Sequence, residues 1–100
     1  MTFEKLKKYL ENYRLEGDHE GIPLSAYYDF EIKDSKLFCY LVDSAEPTDS
    51  KSYRFGFYCE IELKEKGYLV VVRSDRGRYI NIEYYRSRHA IAEMLEAEVG

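Results

Sequence analysis

Residues 53–63 carry the cleanest alternation in the chain. Tyr53, Phe55, Phe57, Cys59, Ile61 and Leu63 fall on one side of an extended backbone, and Arg54, Gly56, Tyr58, Glu60 and Glu62 on the other. Successive side chains of a strand point to opposite faces, so this pattern predicts a strand with one buried face. Gly56 within it predicts a bulge or a close backbone approach. Residues 24–33 alternate in the same way, with Leu24, Ala26, Tyr28, Phe30 and Ile32 against Ser25, Tyr27, Asp29, Glu31 and Lys33. Asp34-Ser35 then predicts a short hairpin turn without the usual glycine. Residues 36–42 and 68–73 (YLVVVR) are apolar on both faces, as expected of covered strands. A last strand is predicted over 78–83 with Ile80 and Ile82 inward.

The two ends have a different period. Phe3, Leu6, Leu10 and Tyr13 recur at spacings of three and four, which predicts a helix over 3–16, capped by Thr2 and ended by Gly17. Ile91, Met94 and Leu95 give a second stripe over 87–98, with Ser87 as its cap and Glu93, Glu96 and Glu98 opposing the macrodipole. Asp18–Pro23, Ser44–Ser52, Lys64–Gly67 and Ser74–Gly77 are polar connections. The order is α-β-β-β-β-β-α, and the inter-strand links are short. The expectation is a two-layer α+β fold: an antiparallel five-stranded meander with the N- and C-terminal helices on one face.

A chain of 100 residues fits a single domain, 1–100, with one core and little room for a deep pocket. No apolar run approaches the roughly 20 residues that span a bilayer, and charges run through the first residues, so the expected location is cytoplasmic. Net charge is −4 but unevenly placed. Residues 11–50 hold ten acids against three bases, and residues 51–88 hold nine bases against five acids. Two patches of opposite sign can steer a charged partner.

Catalytic chemistry is poorly represented. His19 and His89 are the only histidines, and the acid pairs Asp29/Glu31 and Glu60/Glu62 fall on solvent faces of strands. There is no Walker lysine loop, GxGxxG or GxSxG. Cys39 and Cys59 lack metal spacing and read as small buried hydrophobes, able to bridge only if their strands are neighbours in register. The expectation is therefore a non-enzymatic protein, with no catalytic residue, metal or cofactor.

Two kinds of binding surface compete. Eleven tyrosines, with no tryptophan, supply the first. Tyr27, Tyr40, Tyr58 and Tyr79 are expected on the outer sheet face, joined by Phe38, Val42, Leu69 and Val71 and bordered by Asp29 and Glu31. Such a patch suits a heterologous protein or a second copy of the chain. With Asp43, Glu46 and Asp49 it suggests an inhibitor or antitoxin-like module, in the manner of phage- or plasmid-encoded blockers of nucleic-acid machinery whose acids occupy a basic groove. The second surface is the stretch holding Arg73, Arg76, Arg78, Arg86 and Arg88 with interleaved tyrosines, which could bind nucleic acid directly. The acidic balance of the whole chain weighs against it.

Overall fold

The computed structural model describes residues 2–42, 54–73 and 80–99. The elements run α1 (Phe3–Asn12), β1 (Tyr28–Lys33), β2 (Lys36–Val42), β3 (Arg54–Lys64), β4 (Gly67–Arg73), β5 (Ile80–Tyr85) and α2 (Arg88–Val99). The strands form one antiparallel sheet in chain order, β1-β2-β3-β4-β5. This is the α+β meander that the pattern predicts.

Both helices close over the same face of the sheet. Leu6 and Leu10 from α1 and Ile91, Ala92 and Leu95 from α2 share one core with Phe30, Leu37, Cys39, Cys59, Ile61 and Val70. Full burial of an aliphatic or aromatic side chain contributes about 1.5–3 kcal/mol, so this layer carries most of the stabilisation. Tyr28 joins the core with its ring buried, and its phenol donates a 2.8 Å hydrogen bond to the Leu95 carbonyl. Strand β1 is thereby fastened to α2 by a polar link inside an apolar layer.

Both expected caps form. The Thr2 hydroxyl accepts from the Lys5 amide at 3.2 Å, and the Ser87 hydroxyl accepts from the Ala90 amide at 3.1 Å. Helix α1 is shorter than predicted, because Tyr13 leaves it with an extended backbone. Residues 13–15 instead run beside 22–24, with Leu15 donating to the Ile22 carbonyl and Leu24 to the Tyr13 carbonyl. Leu15 is buried by this route. Gly17, expected as the helix stop, has φ +70° and opens a single 3-10 turn, Gly17–His19. Glu96 of α2 accepts hydrogen bonds from the Tyr13 phenol (3.2 Å) and the Glu16 amide (2.8 Å). That acid fixes the segment after α1 to α2.

The first strand also starts later than predicted. Leu24–Ala26 is a 3-10 turn, Tyr27 closes it in helical conformation, and extended structure begins at Tyr28. Asp34 (φ 53°) and Ser35 (φ 61°) both adopt the left-handed conformation, and Lys33 pairs with Lys36 across them. This is a two-residue hairpin of the primed type, built without glycine. Pairing of β2 with β3 shifts between Tyr40↔Tyr58 and Val42↔Arg54, an irregularity facing the stretch that contains Gly56. The connection Ser44–Ser52 and the turn Ser74–Gly77 lie outside the described residues.

Strand β5 overturns one expectation. Ile80 and Ile82, predicted inward, are 54% and 61% exposed. Pairing sets this: Val70↔Glu83 and Val72↔Asn81 put Asn81 and Glu83 on the helix-facing side, and Val71↔Ile82 and Arg73↔Ile80 put both isoleucines on the other. Because β4 is apolar on both faces, the alternation of β5 taken alone could not say which side was inner.

Candidate interaction surface

The face turned away from the helices is organised by register. Glu31, Phe38, Glu60, Val71 and Ile82 pair in one row across the five strands. The neighbouring row runs Asp29, Tyr40, Tyr58, Arg73, Ile80. On the other side Glu62, Leu69 and Tyr84 are in line. Charge therefore gathers toward β1–β3 and apolar side chains toward β4–β5.

The middle of the face is filled by its own residues. Phe38 is 8% exposed and stacks on Tyr40, with ring centroids 6.4 Å apart and planes 11° apart. Glu60 is 9% exposed. Its carboxylate meets Arg73 Nε at 3.1 Å and Lys36 Nζ at 3.7 Å, so two cations offset the desolvation of one buried anion. Lys36 also reaches Glu62 at 3.6 Å, and Lys64 reaches Glu62 at 3.3 Å. The hydrogen bond and charge of Lys64, then Lys36, hold the Glu62 carboxyl below the usual carboxylate range.

The β5 edge differs in character. Ile80, Ile82 and Tyr84 alternate onto the outer face and are 54%, 61% and 48% exposed. Leu69 and Val71 of β4 stand beside them, both half-buried. On the opposite side of β5, the Asn81 amide and the Tyr85 phenol donate to Glu83 at 3.1 and 2.9 Å. Those two donors hold the Glu83 carboxyl low, keeping it charged.

The predicted site residues are dispersed. Tyr27 is not on the outer face: it packs against the core, its phenol 3.0 Å from His19 Nδ1 and the two rings edge-on at 5.4 Å. The 3-10 turn before it breaks the alternation that would have carried it outward. Tyr40 does lie on the outer face, opposite Asp29, and Glu31 lies opposite Phe38. Phe38, expected as part of an exposed patch, is buried. Tyr58 holds its register position between Tyr40 and Arg73. Tyr79, Asp43, Glu46 and Asp49 lie outside the described residues, as do Arg76 and Arg78. The remaining arginines do not converge. Arg73 pairs with Glu60, Arg86 borders an open hollow beside Lys64–Gly67, and Arg88 lies 4.3 Å over the Tyr9 ring. Ile80, Ile82 and Tyr84 were missed, and the signal that finds them is the register against Val71 and Arg73.

Other groupings offer less. His89 meets Tyr9 at 3.4 Å and Glu93 at 3.0 Å, but its side chain and that of Glu93 are each more than half exposed. A groove of about 520 Å³ lies between α1 and β1, lined by Lys7, Glu11, Phe30 and Ile32 among others. Among the described residues no cluster of three or more His, Cys, Asp or Glu could hold a metal ion. No helix among them is long and apolar enough to cross a membrane. Cys39 and Cys59 are directly opposed on β2 and β3, fully buried and free, and burial pushes the Cys39 thiol up.

The fold and surface define an α+β protein with a helix-covered sheet face and an uncovered one. No protein-family model, curated protein or solved structure matches the chain.

Proposed function

We propose that this chain is a protein-binding domain that engages its partner through the uncovered sheet face at the β4–β5 end. One observation carries the reading: Ile80, Ile82 and Tyr84, each about half exposed or more, stand side by side on the strand that ends the sheet. Single exposed apolar residues are ordinary, but a contiguous group beside half-buried Leu69 and Val71 is characteristic of an interface. In its finer form the proposal is an inhibitor or antitoxin-like module, supported by the ten acids against three bases in residues 11–50.

Affinity capture from native lysate with the unmodified chain and with Ile82→Asp tests the reading. Ile82 is 61% exposed, so the substitution empties no core position, and circular dichroism of the variant confirms that it folds before capture is compared. Loss of the captured protein in the variant is the expected result, and identical captured sets would refute it. Captured complexes held by the acidic residues should also weaken as salt rises.

A further inference from the structure

We infer that the outer edge of β5 pairs with β5 of a second copy of this chain, antiparallel about a two-fold axis at Ile82, forming a continuous ten-stranded sheet. The inference rests on the proposed binding role of the β4–β5 end and names its partner.

The two edges of the sheet are built differently. Strand β1, at one edge, carries Asp29, Glu31 and Lys33 within six residues. Charges along an edge oppose pairing with another chain. Strand β5, at the other edge, has the sequence INIEYY, and Glu83 is its only charge. Among the described residues no strand pairs with its outer side. A strand edge of this kind, apolar and lacking lysine or proline, is a template for another strand.

Charge selects both partner and register. With the axis at Ile82, Ile82 faces its own copy and Ile80 faces Tyr84 of the second chain, giving apolar and aromatic pairs on the outer face. On the opposite face Asn81 lies across from Glu83, an amide donor against a carboxylate. A shift of the axis to Glu83 would oppose two carboxylates, each kept ionised by its Asn81 and Tyr85 hydrogen bonds. The strand is thus self-complementary in one register and self-repelling in the next.

Five residues of strand pairing, 80–84 against 84–80, lie at the small end of stable interfaces, so half-association is expected on the order of 10–100 μM. Each copy carries a net charge of −4, so added salt screens their repulsion and strengthens the dimer. A partner bound by the acidic residues would respond in the opposite sense.

Sedimentation equilibrium over roughly 1 μM to 1 mM, at low and physiological salt, tests association. The expected result is a dimer that tightens with salt and shifts at least tenfold toward monomer in Ile82→Lys. Register is tested with Ile82→Cys and Ile80→Cys under oxidised glutathione. The new thiol of the first variant faces its copy within disulfide reach, whereas that of the second lies about 13 Å along the strand from its own copy. Cross-linking of I82C much faster than I80C supports the register. A monomer throughout, a dimer indifferent to Ile82→Lys, or equal cross-linking overturns the inference. A monomeric chain whose captured protein is lost in Ile82→Asp overturns the inference alone. A monomeric chain whose captured proteins are unchanged in that variant overturns the proposed function as well.

Discussion

The ring of Tyr84 lies over Gly67. A Cβ placed on Gly67 would fall 2.9 Å from the Tyr84 phenol and 2.5 Å from the Tyr85 carbonyl. The glycine is required for close approach of β5, and the aromatic ring covers the backbone that it leaves bare.

Gly67→Ala should therefore destabilise the protein, by about 1–3 kcal/mol, as overpacking does. Urea unfolding measures it. Adding Tyr84→Ala should recover only part of the loss, since the tyrosine tip can move but the Tyr85 carbonyl belongs to the sheet. Full recovery would show that the side chain alone sets the constraint.

Ser35→Gly should stabilise. Ser35 holds φ 61°, a conformation that costs an L-residue about 1–2 kcal/mol and glycine little. Part of that gain is offset by the greater freedom of glycine in the unfolded chain, leaving about 0.5–1 kcal/mol. A rise in Tm without change in the oligomer would agree, and a fall in Tm would contradict the hairpin geometry.

Tyr28→Phe should cost about 1–2 kcal/mol. The ring would still fill its place in the core, but the 2.8 Å hydrogen bond to the Leu95 carbonyl would be lost in a buried setting. Denaturant unfolding with an unchanged m-value is the expected signature, because the surface exposed on unfolding stays the same.

Alkaline pH should weaken the fold. Burial, then the charge and hydrogen bond of Glu96, push the Tyr13 phenol up to about 12. Burial and the Glu83 hydrogen bond push Tyr85 up to about 12. Burial also raises Tyr28. Each group is raised in the folded chain, so its contribution is fully present below the ordinary phenol value near 10 and is lost as pH rises through the folded value. Stability should fall between about pH 10 and pH 12. Tyrosinate absorbance should show these phenols ionising after the exposed ones, and Tyr13→Phe should shift the alkaline unfolding midpoint upward.

Strands β2 and β3 were legible because each is paired on both sides and its alternation matches the buried set Leu37, Cys39, Cys59 and Ile61. Tyr28 and Tyr68 followed their apolar faces into the core. Strand β5 was misread because it follows a strand apolar on both sides, where period alone cannot separate helix side from solvent side. Tyr27 was misplaced because a 3-10 turn has no distinctive alternation and Leu24 still reaches the core from it. Of the candidate surface, the acidic β1 side could be read from composition. The exposed isoleucines could not, because their side is set by the register against Val71 and Arg73 of a strand that is apolar on both faces.

The unequal edges have a consequence for stoichiometry. A sheet that could accept strands on both sides would recruit copies without end and build a filament. Here one flank bears three charges and the other bears one, so addition at β5 leaves only the charged β1 flanks facing outward. An assembly built through the proposed β5 pairing would terminate at two, the first strand supplying the stop for what the last strand begins.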